Sequence, residues 1–368
     1  MTSIGYGLVG AGAFGSFCIA RYRTSPIIDV RAVADVNLEA ARTIADAHGI
    51  DAHGDVSELL AREDIDLVHF ATPPFTHKEL VLQALAAGKH VLCEKPLTIT
   101  AEDAAELVDA ARAADRVLVV NHIMRYDPLN HAVKQILEQG LLGEPIAAML
   151  TNLAGDSMLV PEHWFWQPEL SGGIFVEHSV HFFDLFSLFL GPATVLHATE
   201  VTRPANPSIV EQVQATALHD NGVLATQYHG FHQPSELDRQ ELRIVCERGD
   251  IRLLGWLTTQ VEIDAMLEDA TARRIRELFP QEPTVVSVPV ETHDVGARHK
   301  TFRADARYRI SATLGIEKLE VYGRAVRALL EDQAAYILDR THKRLLDESH
   351  GLRSLALAVD ARRLSILD

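Results

Sequence analysis

The sequence predicts a doubly wound, parallel α/β domain over residues 1–122 and an α+β domain over residues 123–368 carrying a large, mostly antiparallel sheet. Three observations carry this prediction. Strand-like and helix-like segments alternate through the first 120 residues, as a parallel sheet covered by helices on both faces requires. A glycine-rich turn, Gly10-Ala11-Gly12-Ala13-Phe14-Gly15, joins the first strand to the first helix. Beyond residue 123 strand follows strand with few helices between.

In the first part, an apolar strand at 4–9 leads into a helix at 14–23, and a second strand at 30–34 ends on Asp35. A helix at 38–48 is closed by Gly49, and the next strand, 66–72, runs into Pro73-Pro74. The helix at 76–87 ends at Gly88, which suits the left-handed position after a helix. A strand at 90–93 continues into Glu94-Lys95-Pro96. Thr100, with Asp103 three residues on, caps a helix to 114, and a strand at 117–120 ends at Asn121-His122.

In the second part, a helix at 129–139 passes through Gly143-Glu144-Pro145 into a strand at 146–153. Gly172-Gly173 starts an apolar helix that Gly191-Pro192 stops. Strands follow at 195–201, 212–218, 223–228, 241–246 and 251–254. Asn221-Gly222 predicts a type I′ hairpin with positive φ at both residues. Residues 265–310 resist assignment apart from a strand at 306–311; helices at 318–338 and 350–364 close the chain and could pack back on the first domain. A broad sheet with one face uncovered by helices predicts a homo-oligomer.

Composition narrows the function classes. The chain has 368 residues, 47% hydrophobic and 23% charged, and a net charge of −17 that disfavours nucleic acid and anionic membranes as partners. The apolar run at 182–190 is interrupted by Asp184, so no membrane span is expected. Cys18, Cys93 and Cys246 form no C-x-x-C and read as reduced core residues of a cytoplasmic protein. The first strand begins almost at Met1, which leaves no room for a signal peptide.

The glycine run has the spacing of a dinucleotide site. Gly10 permits the tight turn, Gly12 admits a pyrophosphate to the backbone, and Gly15 allows close helix–strand packing. Ala13 and Phe14 open a helix whose N-terminal amides face the phosphates. Asp35, 20 residues past Gly15, would accept hydrogen bonds from the adenosine ribose. A carboxylate there repels a 2′-phosphate, and Val36, Asn37 and Leu38 bring no cation, so the expected cofactor is NAD.

Three groups could do chemistry. Lys95 falls past a strand end, where open α/β sheets bind ligands, and its ammonium could donate to a substrate hydroxyl; a solvated surface lysine is the alternative. Glu177, His181 and Asp184 are spaced i, i+4 and i+7 on an apolar helix, which suits a general base with carboxylate support. A buried histidine satisfied by Asp184 explains that spacing equally well. His163, His178 and His181 make a metal conceivable, but no H-E-x-x-H motif supports one, and none is expected. Asn121 to Pro128, with Arg125, would lie at the domain hinge near the nicotinamide. Trp164, Phe165 and Trp166 could offer flat faces to a sugar ring, although a core role is as common.

With these residues in place, the chain resembles the glucose–fructose oxidoreductase, inositol dehydrogenase and rhizopine-catabolism (Gfo/Idh/MocA) family over nearly its whole length. The resemblance rests on Gly10 to Gly15, Ala71-Thr72-Pro73 with His77, Glu94-Lys95-Pro96, Arg125, and Gly172-Gly173 followed by Glu177 to Asp184. It implies a Rossmann domain and a sheet-rich second domain, usually in dimers or tetramers. It also implies Lys95 and His181 as a catalytic pair, with Lys95 in a proton relay and His181 as acid/base. Glu177 would orient a hydroxyl or His181. Thr72, Pro73, His77, Glu94, Lys95 and Asn121 would join the glycine loop and Asp35 around NAD. Lys95, Arg125, Trp164, Glu177 and His181 would meet the substrate, and the Lys95–Pro96 bond is often cis in such enzymes.

Two departures bear on the substrate. Glu177 and Ser179 stand where the family commonly has aspartate and glycine in D-x-G-x-H, and the segment 265–310 looks longer than usual. The expected activity is NAD-dependent oxidation of a secondary hydroxyl on a sugar, sugar derivative or cyclic polyol. The alternatives are redox-assisted glycoside cleavage with NAD used catalytically and a non-catalytic NAD-sensing regulator.

Overall fold

The computed structural model describes residues 3–366. Its first sheet is parallel and has the strand order β3-β2-β1-β4-β5-β6. The strands are β1 (Ile4–Val9), β2 (Ile28–Ala34), β3 (Asp51–His53), β4 (Leu67–Phe70), β5 (His90–Cys93) and β6 (Leu118–Val120). Helices α1 (Ala13–Tyr22), α2 (Leu38–His48), α3 (Val56–Leu60), α4 (His77–Ala86) and α5 (Ala101–Ala113) connect them. All six residues of β1 are buried, as expected for a central strand covered on both faces. The order reverses between β1 and β4, which opens a crevice beyond the carboxyl ends of the strands. Gly49 closes α2 with φ +63°, and Thr100 Oγ1 caps α5 by accepting from Asp103 N at 3.2 Å.

The second sheet has nine strands in the order β14-β17-β13-β12-β11-β7-β10-β9-β8. In chain order these are β7 (Pro145–Ala154), β8 (Ala193–Arg203), β9 (Asn206–His219), β10 (Leu224–Phe231), β11 (Arg239–Cys246), β12 (Gly249–Leu254), β13 (Gln260–Leu267), β14 (Thr284–Pro289) and β17 (Ala306–Thr313). Every pairing is antiparallel except β7 with β10. Helices α6 (Pro128–Glu138), α7 (Pro168–Ser171), α8 (Val180–Leu190), α9 (Asp269–Glu277), α10 (Lys318–Leu338) and α11 (Glu348–Ser365) complete the elements, with a hairpin of β15 (Asp294–Ala297) and β16 (Lys300–Arg303). The unassigned stretch 265–310 is thus the end of β13, α9, the edge strand β14 and the hairpin, which turns at Arg298 and His299 with positive φ.

Contacts divide the chain into two compact units. The first holds the chain through Ile123 together with Gln167–Asp184 and Tyr322–Val359; the second holds Met124–Trp166, Leu185–Val321 and the chain from Asp360. Gln167–Asp184, assigned to the second domain from sequence, therefore clusters with the first sheet, as do most of α10 and most of α11. Pro168–Leu190 is the one stretch among the described residues long and apolar enough to cross a membrane, but 78% of its most apolar window is buried inside the protein.

The turn at Asn221-Gly222 differs from the expected type I′. Only Gly222 has positive φ, +83°, and its N–H donates to His219 O at 2.8 Å. A glycine placed after an ordinary turn closes a hairpin without a left-handed asparagine.

Candidate active site

The glycine loop is built for a phosphate-bearing ligand. Gly10 sits at φ +109°, and a Cβ there would stand 2.3 Å from Ala71 O. A Cβ on Gly15 would stand 2.2 Å from Gly10 O, so this residue lets α1 pack on the loop. Gly12 differs: nothing lies within 4 Å of its would-be Cβ. That open space lies at the N-terminus of α1, where Gly12 provides no side-chain cap and the first amides of a helix, here including Ala13 and Phe14, have no acceptor within the helix itself. Asp35 follows β2; its Oδ2 accepts from Ala11 N at 2.7 Å and its Oδ1 from Asn37 N at 2.8 Å. The aspartate thereby also holds the glycine loop. These residues fit a dinucleotide: the open backbone at Gly12 would take the pyrophosphate and Asp35 would meet the adenosine.

Both ring nitrogens of His77 face backbone carbonyls. It is fully buried at the start of α4, with Nδ1 2.8 Å from Pro96 O and Nε2 2.9 Å from Thr72 O. It ties the loop of Thr72 and Pro73 to the loop of Lys95 and Pro96. Burial lowers its pKa, so the neutral ring donates to one carbonyl at a time. Thr76 Oγ1 further fixes the first loop by donating to Pro73 O at 2.8 Å.

Past β5, the Lys95–Pro96 bond is cis, and Lys95 Nζ donates to Glu177 Oε1 at 2.5 Å and to Glu177 O at 2.8 Å. Glu177 reaches it from an unexpected element. Gly172 and Gly173, both at φ +80°, end α7, and Phe175–Ser179 then form a π turn that continues into α8. Such widened turns often mark functional sites. The i, i+4 relation read from an α-helix does not hold through this turn. Glu177 is committed to Lys95, and His181 lies on the first turn of regular α8. Ser179, in the position where glycine was expected, is buried, and its Oγ has no hydrogen-bond partner among the described residues.

His181 is buried, and burial first, then the charge of Lys95, drives its pKa well below the ordinary histidine value. His122 faces it edge-on, ring centroids 6.2 Å apart and planes at 83°. Ser354 Oγ, on α11, is 2.9 Å from His122 Nε2. Gly351 permits this approach, because a Cβ there would stand 2.2 Å from Val120 of β6. Sequence reasoning missed the His122–Ser354 contact; its partners lie 232 residues apart and carry no shared motif.

The structure brings Lys95, Glu177 and His181 into the first unit with the glycine loop, Glu94 and Asn121. Arg125 and Trp164 belong to the second unit. Of the three aromatics at 164–166, Phe165 and Trp166 are core, packed tilted and edge-on against Phe231 with ring centroids 5.1 and 6.0 Å away, and only Trp164 is half-exposed. No group of three or more metal-ligating side chains occurs among the described residues.

Residues 4–122 match the Gfo/Idh/MocA oxidoreductase family, NAD-binding Rossmann fold, and residues 130–252 match the GFO/IDH/MocA C-terminal domain. The chain belongs to the Gfo/Idh/MocA family. It is similar to 1,5-anhydro-D-fructose reductase of Ensifer adhaerens, 31% identical over 231 residues that cover 61% of this chain and 68% of that protein. It is 39% identical to inositol 2-dehydrogenase of Pseudomonas savastanoi pv. phaseolicola over 144 residues, 38% of this chain and 43% of that protein. Matches to most of these curated relatives thus span about half of their length. Two solved structures share the fold. Levoglucosan dehydrogenase in complex with NADH and L-sorbose superposes with TM-score 0.80 at 18% identity, covering 100% of this chain and 98% of that one. The WlbA dehydrogenase from Bordetella pertussis in complex with NADH and UDP-GlcNAcA gives TM-score 0.80 at 22% identity, covering 99% and 96%. This Gfo/Idh/MocA chain therefore carries the NAD-binding Rossmann domain and the C-terminal domain of an oxidoreductase family.

Proposed function

We propose that this chain is an NAD-dependent dehydrogenase that oxidises a secondary hydroxyl on a sugar, a sugar derivative or a cyclic polyol. The observation that carries the reading is the Lys95 ammonium, held by Glu177 at the carboxyl edge of the parallel sheet in the same unit as a buried, neutral His181. The anhydrofructose reductase and inositol dehydrogenase relatives support a ring-borne hydroxyl.

An ammonium has three N–H groups. Glu177 takes two of them, which leaves one for a substrate oxygen. His181, neutral at pH 7, accepts the hydroxyl proton, and Lys95 stabilises the negative charge that develops on the oxygen. Nicotinamide supplies hydride-accepting chemistry when bound. NAD is favoured over NADP because Asp35 would repel a 2′-phosphate, while the nearby cation Arg42 is engaged by Glu39 at 2.7 Å.

Two further properties belong to the same reading. The outer face of the second sheet exposes Met149, Val201, Leu218 and Leu224, which supports a homo-oligomer, a dimer or tetramer, formed through that face. Three buried, unpaired cysteines support a reducing, cytoplasmic location.

The test is NADH formation from NAD, with NADP in parallel, across inositols, aldoses, anhydrosugars and glycosides. Wild type should turn over a polyol or sugar with NAD. Lys95→Ala should lose about a hundredfold or more in turnover while still binding NADH. Silence across the panel with tight NADH binding would overturn the dehydrogenase reading.

A further inference from the structure

β1 and β4 are the two central strands of the first sheet, and each carries one polar side chain into an otherwise apolar layer. Tyr6 and His69 are fully buried. Tyr6 pairs with Leu67 across the strands, so His69 is its diagonal neighbour two residues on. Tyr6 Oη and His69 Nδ1 are 2.8 Å apart. His69 Nε2 is 3.1 Å from Glu94 Oε1, and the same oxygen accepts from Asn121 Nδ2 at 2.6 Å. Four side chains from β1, β4 and the ends of β5 and β6 thus form one hydrogen-bonded series that runs from the buried layer to the half-buried Glu94 at the carboxyl edge of the sheet beside Lys95.

Chemistry fixes the polarity of this series. A carboxylate only accepts, so His69 Nε2 and Asn121 Nδ2 must both donate to Glu94. With Nε2 donating to Glu94, the other ring nitrogen, Nδ1, meets the Tyr6 hydroxyl. Burial raises the Tyr6 pKa well above its ordinary value, so the phenol remains a donor. Because its amide nitrogen is committed to Glu94, Asn121 cannot flip, and Oδ1 is its remaining acceptor. That oxygen is buried and has no partner among the described residues, and Asn121 is only 2% exposed. A buried amide oxygen without a donor is costly unless a ligand supplies one.

The topology indicates which ligand. The glycine loop after β1 and Asp35 after β2 take the phosphates and the adenosine. The other nucleoside of a dinucleotide laid along the strand ends therefore passes over β4, β5 and β6. We infer that Tyr6 and His69 are positioning residues: acting through Glu94, they hold Asn121 with Oδ1 presented to an N–H or O–H donor on the nicotinamide nucleoside. This inference rests on NAD as the ligand of the crevice.

The experiment is a binding cycle read by NADH fluorescence titration. Wild type, His69→Leu, Asn121→Leu and the double variant are compared, with thermal unfolding to confirm that each is folded. His69→Leu and Asn121→Leu should each weaken NADH binding roughly tenfold, and the double variant should be no weaker than Asn121→Leu alone. His69→Gln, which keeps an N–H toward Glu94, should restore most of the affinity. Should His69→Leu not fold, Tyr6→Phe, which removes one oxygen, takes its place in the cycle. Titration with the acetylpyridine analogue of NADH separates the two donors. A penalty from Asn121→Leu that vanishes with the analogue assigns the carboxamide N–H; an equal penalty assigns a ribose hydroxyl. Unchanged affinity in His69→Leu and Tyr6→Phe, or penalties that add in the double variant, would overturn the inference. Wild type that fails to bind NADH would instead overturn the NAD reading itself.

Discussion

Lys95 Nζ lies 2.5 Å from Glu177 Oε1 and 2.8 Å from Glu177 O, so one residue holds the ammonium with both its side chain and its backbone. The pair is mostly buried, with side chains 18% and 11% exposed, so solvent screens it little. A carboxylate one methylene shorter would leave the backbone contact and lose the side-chain one. Glu177→Asp should therefore cut kcat about tenfold and change the ranking of substrates by KM, with NADH affinity unchanged. Steady-state kinetics on the best polyol, paired with NADH titration, checks this.

The histidines near Lys95 set the acid side of the pH profile. Burial drives the His181 pKa well below the ordinary value of about 6.5, and brings His178 to about 4. Both are therefore depressed on folding, and the unfolded chain takes up these protons first. The stability they contribute is present above about pH 6.5 and is lost as the pH falls toward the folded-state values. The rate kcat/KM should accordingly stay level from pH 8 to below 6.5, while thermal stability already declines between pH 6.5 and 4. A pH–rate profile beside melting curves over the same range tests both statements. An acid limb centred near 6.5 would contradict the assignment of His181.

Asp127 has the opposite sign. It caps α6 by accepting from Leu129 N at 2.8 Å, and its burial raises its pKa to about 7. The folded state thus keeps a proton that the unfolded chain releases near the usual 3.8. The stability gained is present at acid pH and is lost as the pH rises through about 7. Asp127→Asn keeps a cap oxygen and removes the titration. It should raise the melting temperature by several degrees at pH 8 and change it little at pH 4, which differential scanning calorimetry reads directly.

Asp35 is expected to serve two ends at once, repelling a 2′-phosphate and holding the glycine loop through Ala11 N. Asp35→Ala should lower NAD affinity and narrow the preference over NADP, whereas Asp35→Asn, which retains the acceptor, should narrow the preference with a smaller loss of NAD affinity. Parallel titrations with NADH and NADPH separate the two effects.

Elements with a strong local signature are legible in the sequence. The strands at Ile4–Val9 and His90–Cys93 are apolar runs bounded by turn residues, and α2 and α10 have the bounds that periodicity and Gly49 suggested. The short β3 and α3 were not legible, because three polar residues at a sheet edge and a five-residue helix carry no periodic signal. The hairpin at Asn221-Gly222 was found in place but not in type, since one left-handed residue suffices there. The helix bearing Glu177 and His181 was recognised, yet the π turn within it was not, because hydrophobic periodicity cannot distinguish one widened turn from a regular one.

By itself the sequence determined a parallel α/β half and a mostly antiparallel, sheet-rich half, the dinucleotide loop at Gly10 to Gly15, and the candidates Lys95, Glu177 and His181, all of which lie in local patterns of a few residues. Only the tertiary structure decided which partners those residues meet. It set Glu177 against Lys95, Ser354 against His122, and Tyr6 against His69, pairs separated by 82, 232 and 63 residues. The reason is physical. Local propensity and spacing specify an element and its buried face, but the direction of a polar side chain is settled by the donors and acceptors that strand order and helix packing bring within about 3 Å of it.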